Sequence, residues 1–245
     1  MDCLDERSKQ LRRDVIRLSK ANGGYHYGGS FSCVEIILAL YDHILRADDT
    51  FILSKGHACW PLYVLLRERG RRPKLEGHPV RDPNNGIEWT TGSLGHGLPA
   101  AVGKALARKL TGREGRVFVL MSDGELQEGT TWESILVAVH HNLSGLTAIV
   151  DMNGIQGSGY CSDILDVQRV PAAARSLGCA VEMVSNGHCI DEVVGAADSF
   201  SDIGPKFIFA NTIKGRGVTA WENQPEWHAK WPSPEEEANA LEDLN

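Results

Sequence analysis

Apolar positions divide this chain into short continuous runs and longer stretches in which they recur every three or four residues. Continuous apolar runs are typical of strands buried on both faces of a parallel sheet, whereas the three-to-four spacing is typical of amphipathic helices. The runs predict strands at residues 50–53, 116–121, 146–150, 179–184 and 206–212. The spaced stretches predict helices at residues 4–21, 59–69, 98–110, 130–142 and 191–200. This alternation predicts an α/β fold with a doubly wound, mostly parallel sheet flanked by helices.

Short polar and glycine motifs predict where some of these elements begin and end. Asn22-Gly23-Gly24 is a typical helix end. Ser32-Cys33-Val34-Glu35 is a capping-box pattern, and it predicts a core helix over residues 34–45. Between them, residues 25–30 predict a glycine-rich loop that brings His26 close to a ligand; an exposed histidine without that role is the alternative. The acidic residues after Trp231 predict a surface helix or a flexible end.

Two predicted strands are each followed by a side chain that could bind a metal ion. Asp123 follows the strand at 116–121, and Asn153 follows the strand at 146–150. Adjacent parallel strands end at the same edge of the sheet, where open α/β folds bind ligands. A carboxylate, an amide oxygen, a backbone carbonyl and phosphate oxygens together suit Mg²⁺ or Ca²⁺, and Gly124 leaves room for a diphosphate. Simple turn formation is the alternative, because Asp-Gly and Asn-Gly are common turn pairs.

Composition narrows the class of protein. A length of 245 residues is enough for one large α/β domain, and 42% hydrophobic with 23% charged residues is ordinary for a globular protein. A net charge of −7 argues against nucleic-acid binding. The six cysteines form no C-x-x-C pair, which favours reduced thiols over a disulfide framework. No secretory signal and no membrane-spanning run are found, so we expect a cytoplasmic protein.

Asp123-Gly124 followed by Asn153 resembles the signature of thiamine diphosphate enzymes, and Gly-Glu-Leu-Gln-Glu-Gly at 124–129 resembles the transketolase form of it. The resemblance extends from about Lys20 to Lys230. It implies that residues 1–245 form a single thiamine diphosphate-binding domain. The pyrimidine-binding and C-terminal domains of the family have no counterpart here and are expected on a partner chain. The sequence is thus similar to the N-terminal subunit of a split transketolase.

The resemblance also assigns residues to the cofactor, which is expected to be thiamine diphosphate with Mg²⁺ or Ca²⁺. Asp123, Asn153 and the carbonyl of Ile155 match the metal ligands of the family. His57, in Ser-Lys-Gly-His-Ala, matches the histidine that contacts the diphosphate, and without the resemblance it would be a structural histidine. The other residues expected at the cofactor are Gly92, Ser93, Leu94, Gly124, Glu125, Lys214 and His228.

Four further matches concern the reacting sugar and the partner. His26, His78 and His228 are expected to position hydroxyls and phosphates or to move protons, a use that suits histidine near neutral pH. Glu128 resembles a glutamate that reaches across the subunit interface; an acidic residue that interacts with a helix N-terminus is the alternative. The sequence departs from the family pattern in having Tyr25, Tyr27, His96 and Ser122. These departures suggest a member of a specialised pathway.

In transketolases, a glutamate on the pyrimidine-binding domain assists proton loss from the coenzyme, and no second α/β domain remains here to supply it. The resemblance therefore implies a site shared with a C-terminal transketolase subunit, in an α2β2 heterotetramer that acts on sugar phosphates. Alternatives are a subunit of a 2-oxoacid dehydrogenase and a non-catalytic subunit that retains the fold. A dinucleotide-binding protein is disfavoured, because no G-x-G-x-x-G follows the first strand.

Overall fold

Five parallel strands form the central sheet in a computed structural model, which describes residues 4–198 and 204–245. The strands in these ranges are β1 (Thr50–Leu53), β2 (Val117–Ser122), β3 (Leu146–Met152), β4 (Ile155–Gln156), β5 (Gly159–Tyr160), β6 (Ala180–Val184) and β7 (Lys206–Asn211). The order across the sheet is β1-β2-β3-β7-β6, and every pairing in it is parallel. Strands β4 and β5 form a separate antiparallel hairpin.

Helices cover both faces of this sheet. They are α1 (Glu6–Ala21), α2 (Tyr27–Ser32), α3 (Val34–Leu38), α4 (Trp60–Glu68), α5 (Gly97–Thr111), α6 (Gly129–His140), α7 (Cys161–Ile164), α8 (Val170–Leu177), α9 (Ile190–Asp198) and α10 (Pro234–Asp243). A wider π-helical turn, Ala39–Ile44, follows α3. None of the helices in the described ranges combines the length and apolar character needed to cross a bilayer.

The core lies in two apolar layers, one on each face of the sheet. One layer joins α1, α3, α4 and α9 to the sheet and includes the buried rings of Trp60, Trp221 and Trp227. The other layer joins α5, α6 and α8 to the opposite face. Burying each large side chain contributes about 1.5–3 kcal/mol, so the continuous apolar runs of β2, β3 and β7 are stable only between two helical layers.

Strand register brings three chain segments together at one edge of the sheet. Ser122 lies opposite Asp151, and Met152 lies opposite Asn211, so the loops after β2, β3 and β7 leave the sheet side by side. The chain leaves β3, forms β6 at the far edge and returns as β7 beside β3. Such a reversal of strand order opens a crevice at the carboxyl ends of the strands.

The predicted α/β fold with a doubly wound parallel sheet is confirmed. The predicted strands and the helices predicted at residues 4–21, 59–69, 98–110 and 130–142 correspond to observed elements whose ends differ by no more than two residues. The helix predicted at 191–200 begins within one residue of α9, and its predicted end lies outside the described residues. The helix predicted over residues 34–45 is α-helical only over Val34–Leu38, because Ala39–Ile44 form the π-helical turn. Helix α8 and the β4–β5 hairpin were not predicted. The acidic end of the chain forms helix α10, which begins with a capping box at Ser233.

Two local predictions were wrong. Ser32 does not cap a helix: it is the last residue of α2, and its hydroxyl donates to Asp151 Oδ2 at 2.5 Å and to Gly29 O at 3.1 Å. Glu35 instead forms a buried ion pair with Arg12. The predicted glycine-rich loop is also shorter than expected, because α2 begins at Tyr27. For Ser32 and Glu35, contacts with distant parts of the chain replace the local pattern.

Candidate functional site

Asp123 lies directly after β2, at the edge where the three loops meet. It is 1% exposed, and its carboxylate accepts hydrogen bonds from Gly124 N at 2.8 Å and from Gly154 N at 2.5 Å. Burial and the neighbouring Asp151 carboxylate raise the pKa of Asp123 to about 6. Within residues 4–198 and 204–245, no lysine, arginine or histidine forms an ion pair with it. A buried carboxylate in this state favours an added cation.

Asn153 follows β3 and is held by the strand below it. Its amide group donates to Asp151 Oδ2 at 3.2 Å, and its Oδ1 accepts from Ile155 N at 3.1 Å. Asp151 in turn pairs with the buried Lys55 and accepts from Ser32 and Thr212. Burial opposes ionisation of both Asp151 and Lys55, but their mutual attraction lowers the pKa of Asp151 and raises that of Lys55. This pair therefore fixes the side chain of Asn153.

Lys214 lies on the loop after β7 and faces the same turn. It is 1% exposed, and its ammonium group donates to Ile155 O at 3.0 Å and lies 3.3 Å from His228 Nδ1. Burial and the nearby Lys55 lower the pKa of Lys214 to about 8. It forms no ion pair with a carboxylate in the described part of the chain. A buried ammonium group without an ion-pair partner favours an anion beside it.

Four histidine rings lie together next to Lys214. The ring centre of His26 lies 5.5 Å from that of His57, 6.0 Å from that of His78 and 5.3 Å from that of His228. His57 and His228 are 5.0 Å apart. Burial lowers the pKa of all four, and for His228 burial together with Lys214 lowers it to about 3. The four rings are therefore neutral near pH 7.

Hydrogen bonds fix which ring nitrogen carries the proton in two of these histidines. His26 Nδ1 contacts the carbonyl oxygen of His228, which can only accept, so Nδ1 is the donor and Nε2 has a free lone pair. Lys214 donates to His228 Nδ1, so His228 carries its proton on Nε2. His26 can accordingly accept a hydroxyl proton, and His228 can donate to an anion.

His26 adopts a backbone conformation that is unusual for its residue type. Its φ of 65° lies in the left-handed region, and it directly precedes α2. Such conformations cost roughly 1–2 kcal/mol for residues with a side chain and are concentrated at functional sites. Here the conformation directs the ring toward His57, His78 and His228.

Glycines border the histidines and the loop after β2 where a side chain would collide. A Cβ on Gly29 would lie 2.9 Å from His57 Nε2, and one on Gly28 would lie 2.8 Å from Trp227 O. A Cβ on Gly124 would lie 2.9 Å from Gln156 Oε1. These positions need glycine for close backbone approach rather than for a special φ.

Glu125 connects the loop after β2 with the loop at 91–97. Its buried carboxylate accepts from Ser54, from Gly95 N at 2.9 Å and from Ser122 N at 2.8 Å. The Ser122 hydroxyl and Glu125 form a capping box on the 3₁₀ turn Asp123–Gln127. The Glu125 carboxylate thus forms hydrogen bonds within the protein, and its contact with the cofactor stays a prediction.

Gly92, Ser93 and Leu94, which are predicted to lie at the cofactor, belong to that second loop. A Cβ on Gly92 would lie 3.3 Å from His78, whereas Ser93 is exposed and Leu94 is half-buried. Glu128 is exposed and packs beside Gly95. Its predicted role at a subunit interface stays a prediction, as do the roles of the three loop residues.

The structure brings most of the predicted site residues together at one edge of the sheet. Asp123, Gly124, Asn153, Ile155 and Lys214 surround one turn. His26, His57, His78 and His228 lie beside it. The carbonyl of Ile155, a predicted metal ligand, accepts from Lys214, and its second lone pair is left for a metal.

Sequence reasoning missed two groups of buried charges below this site. The first is the Lys55–Asp151 pair. Asp151 lies in β3, two positions before Asn153, and the period of two along a strand was the available signal for it. Lys55 precedes the 3₁₀ turn Gly56–Ala58, and no local signal marks it. The second group joins Arg12, Glu35 and His188, and nothing local in the sequence connects these residues.

The residues present fit a divalent cation and a diphosphate. In the described ranges, no group of three or more histidine, cysteine or acidic side chains could hold a metal without help. One carboxylate, one amide oxygen and one carbonyl form part of a shell for a hard cation, which phosphate oxygens would complete. The buried Lys214, which donates to the Ile155 carbonyl and to His228 Nδ1, and the proton that His228 carries on Nε2 are donors suited to those phosphates.

Comparisons with known proteins agree with this geometry. Residues 7–242 match the family model "Transketolase, thiamine diphosphate binding domain". One subunit of the apulose-4-phosphate transketolase of Actinobacillus succinogenes is 38% identical, with 99% of this chain and 96% of that protein covered. The 6-deoxy-6-sulfo-D-fructose transketolase subunit SqwG of a Clostridium species is 33% identical, with 90% and 88% covered.

A solved structure shows the same fold. The transketolase of Leishmania mexicana superimposes with a TM-score of 0.89 over 98% of this chain, at 24% identity. The chain spans 41% of the length of that transketolase.

Proposed function

Because this chain belongs to the transketolase family, we propose that it is the N-terminal, thiamine diphosphate-binding subunit of a two-subunit transketolase. The reaction is transfer of a two-carbon ketol unit from a ketose or ketose phosphate to an aldehyde. Residues 1–245 form a single coenzyme-binding domain in this proposal, and a partner chain carries the pyrimidine-binding and C-terminal domains. Support for the partner comes from two relatives that match almost end to end and are themselves named as subunits of a transketolase.

The observation that carries the proposal is a pair of buried, opposite charges that have no ion-pair partner among the described residues. Asp123 and Lys214 are each 1% exposed, and they face the turn that contains Asn153 and Ile155. Burying either charge alone is unfavourable by several kcal/mol. A divalent cation at Asp123 and a diphosphate at Lys214 would offset both charges. A scaffold without a ligand has no use for this arrangement.

Each site residue then has a role toward the cofactor. Asp123, Asn153 and the carbonyl of Ile155 hold Mg²⁺ or Ca²⁺, while Lys214, His57 and His228 hold the diphosphate. Gly124 admits the phosphates, and the loop with Gly92, Ser93 and Leu94 borders the aminopyrimidine. When bound, thiamine diphosphate supplies a nucleophilic carbon and an electron sink for the ketol unit.

Two histidines of this chain act on the sugar. The free lone pair on His26 Nε2 accepts a proton from a substrate hydroxyl, because its Nδ1 proton is held by the His228 carbonyl. The exposed ring of His78 lies next to His26 and positions a neighbouring hydroxyl. The low pKa values keep both rings neutral and able to accept protons near pH 7.

The sugar is proposed to be one of a specialised pathway. Two observations support this: the departures at Tyr25, Tyr27, His96 and Ser122, and relatives whose names carry apulose 4-phosphate and 6-deoxy-6-sulfo-D-fructose. Xylulose 5-phosphate and ribose 5-phosphate would then be poor substrates of the assembled enzyme.

The test is ketol transfer by this chain assembled with its partner subunit. We expect transfer from a ketose phosphate and none from pyruvate. Loss of a group that contacts a metal ligand from outside typically lowers metal affinity or activity about 10–100-fold. Asp123 is proposed to bind the metal directly, so Asp123→Asn should lower activity by about a hundredfold or more. The exposed Asp191→Asn is the matched control.

Two results would contradict the proposal. Turnover of pyruvate would support a 2-oxoacid dehydrogenase subunit, and full activity of the Asp123→Asn complex would support a non-catalytic subunit.

A further inference from the structure

Backbone amides of the loop at 91–97 are hydrogen-bonded to two neighbouring segments of the chain. The amide of Gly95 donates to Glu125 Oε1 at 2.9 Å. The amide of Gly97, the first residue of α5, donates to the Ser54 hydroxyl at 3.1 Å. The first amides of a helix have no acceptor within the helix, so Ser54 supplies one from the end of β1. Both ends of this contact are buried.

The Glu125 carboxylate is fully occupied by donors of this chain. It is 0% exposed. Its Oε1 accepts from the Ser54 hydroxyl and from Gly95 N, while its Oε2 accepts from Ser122 N at 2.8 Å and from the Ser122 hydroxyl at 3.3 Å. Two carboxylate oxygens offer about four acceptor positions, so none is left for a ligand. Ser54 extends the contact, because its hydroxyl also accepts from Gly97.

Two glycines bring the backbone of the loop close to these groups. A Cβ on Gly97 would overlap the Ser54 hydroxyl, and one on Gly95 would lie 2.6 Å from Glu128 Cβ. Gly95 also has a φ of 79°, in the left-handed region that favours glycine. At these two positions the loop is therefore held by hydrogen bonds of its backbone.

We propose that Glu125 is a positioning residue that holds the loop at 91–97 beside the aminopyrimidine ring of the coenzyme, in place of a direct contact with the cofactor. The inference rests on the proposed binding of thiamine diphosphate. Glu125 belongs to the turn Asp123–Gln127, which begins with the proposed metal ligand. One carboxylate thereby connects the part of the site for the metal with the part for the ring. Its loss affects recognition of the ring more than recognition of the diphosphate.

Glu125→Gln tests this role because it replaces one acceptor oxygen by an amide nitrogen that only donates. The new side chain cannot accept from both Gly95 N and Ser122 N. Ser122 is the last residue of β2 and is fixed in the sheet opposite Asp151. The glutamine oxygen should therefore stay at Ser122, and its NH₂ group should face the Gly95 amide. Two donors then oppose each other, and the loop at 91–97 should move away.

The experiment measures two ligands by calorimetry in the complex with the partner subunit: thiamine diphosphate with Mg²⁺, and inorganic diphosphate with Mg²⁺. Glu125→Gln should raise the Kd for thiamine diphosphate about tenfold, as for loss of a hydrogen bond to a charged group, and should change the Kd for inorganic diphosphate by less than about twofold. Ser54→Ala leaves the contact of Ser122 with Glu125 in place and should raise the first Kd about threefold. It tests the same connection if Glu125→Gln does not fold. The exposed Glu133→Gln on α6 is the matched control and should bind both ligands as the unaltered complex does.

Two binding results would overturn the inference. Equal weakening of both ligands would mean that Glu125 supports the metal site and not the loop. Unchanged binding of thiamine diphosphate in both variants would mean that the loop keeps its place without these contacts.

Amide hydrogen exchange in the chain alone separates this inference from the proposed function, because it needs no coenzyme. Faster exchange of the Gly95 amide in Glu125→Gln, and of the Gly97 amide in Ser54→Ala, supports the hold of Glu125 on the loop whether or not thiamine diphosphate binds. Exchange as slow as in the unaltered chain at both amides would overturn it.

Discussion

The backbone conformation of His26 determines where its ring lies in the candidate site. The left-handed φ of 65° is unfavourable for a residue with a Cβ but directs the ring into the histidine group. If the conformation is imposed by the surrounding structure, glycine at this position should relieve the strain and alanine should not. We therefore expect His26→Gly to be more stable than His26→Ala by about 0.5–1 kcal/mol in free energy of unfolding.

Both His26 variants should lose most ketol transfer, because neither provides a proton acceptor. Urea unfolding measures the stability difference, and the assembled complex measures activity. Equal stability of the two variants would mean that the backbone relaxes and that no strain is stored at this residue.

His228 predicts how stability depends on pH. Burial and Lys214 lower its folded-state pKa to about 3, below the ordinary histidine value of 6.5. A histidine with a lowered pKa stabilises the fold above its unfolded pKa, and this contribution is lost as the pH falls from 6.5 toward 3. The unaltered chain should lose free energy of unfolding as the pH falls from about 7.5 to about 5. We expect His228→Gln to lose about 1 kcal/mol less over this range, a value that allows for the partial exposure of His228.

Urea unfolding of the chain at the two pH values tests this, with the exposed His140→Gln as the control. The other three histidines of the group still titrate, so the pH dependence is reduced and not abolished. An identical pH dependence in the chain and in His228→Gln would contradict the assigned neutral state.

At the scale of elements, one sequence pattern occurs twice with two different outcomes. Ser32-x-x-Glu35 and Ser122-x-x-Glu125 both have capping-box spacing, but only the second forms the box. Ser32 instead donates a hydrogen bond to Asp151, and Glu35 forms an ion pair with Arg12. Both partners lie far away in the sequence. A local pattern predicts a cap only when no stronger distant partner is present, and distant partners are invisible before the fold is known.

The strands and long helices were predictable because their periodicity reflects burial, which the sheet enforces along its whole length. Helix α2 was not, because its six residues include two glycines, which lower helix propensity. The edge of the sheet that holds Asp123 and Asn153 was also predictable. The His26–Tyr25–Trp231 contacts were not, because Trp231 reaches Tyr25 from the opposite end of the chain.

The buried Arg12–Glu35–His188 group provides a prediction at this scale. Ile213 N donates to His188 Nε2 at 2.8 Å, His188 Nδ1 lies 2.8 Å from Glu35, and Arg12 donates to Arg216 O at 2.7 Å. Helices α1 and α3 thereby hold the loop that carries Lys214 on both sides of that residue. His188 is a positioning residue in this arrangement.

Removing the His188 ring should loosen the loop and weaken cofactor binding. His188→Ala leaves the Ile213 amide without its acceptor, which costs about 1–3 kcal/mol in stability. We expect the Kd for thiamine diphosphate with Mg²⁺ in the assembled complex to rise about tenfold, as for loss of an outer-shell contact. With saturating cofactor, kcat should recover.

The exposed His43→Ala is the control for that substitution. Calorimetry gives the Kd, and a cofactor titration of the activity gives kcat. A variant with normal cofactor affinity and a reduced kcat would mean that His188 acts in some other way than through the Lys214 loop.

At the scale of the whole molecule, the candidate site lies at one edge of the sheet. The loops after β2, β3 and β7 supply the groups suited to the metal and the diphosphate. The chain spans 41% of the Leishmania transketolase that shares its fold. In the proposed enzyme, the loop with Gly92, Ser93 and Leu94 borders one side of the aminopyrimidine, and the other groups that contact this ring come from the partner subunit.

This division predicts how binding depends on assembly. Alone, the chain can neutralise the diphosphate and the cation, but it borders the aminopyrimidine only through the loop at Gly92–Leu94, so burial of that ring contributes little to affinity. Burying an aromatic ring contributes about 1.5–3 kcal/mol, which corresponds to roughly a 10–100-fold change in Kd. We expect calorimetry to give weak binding of thiamine diphosphate with Mg²⁺ to the chain alone and binding tighter by at least that factor in the complex.

Inorganic diphosphate with Mg²⁺ is the matched control ligand, because it lacks the aminopyrimidine. Its affinity should change little on addition of the partner, since its contacts with Asp123, Lys214 and His228 are all present in one chain. If the partner tightened both ligands equally, assembly would act by ordering the loops of this chain and not by completing the site. Tight coenzyme binding and full turnover by the chain alone would contradict a divided site altogether.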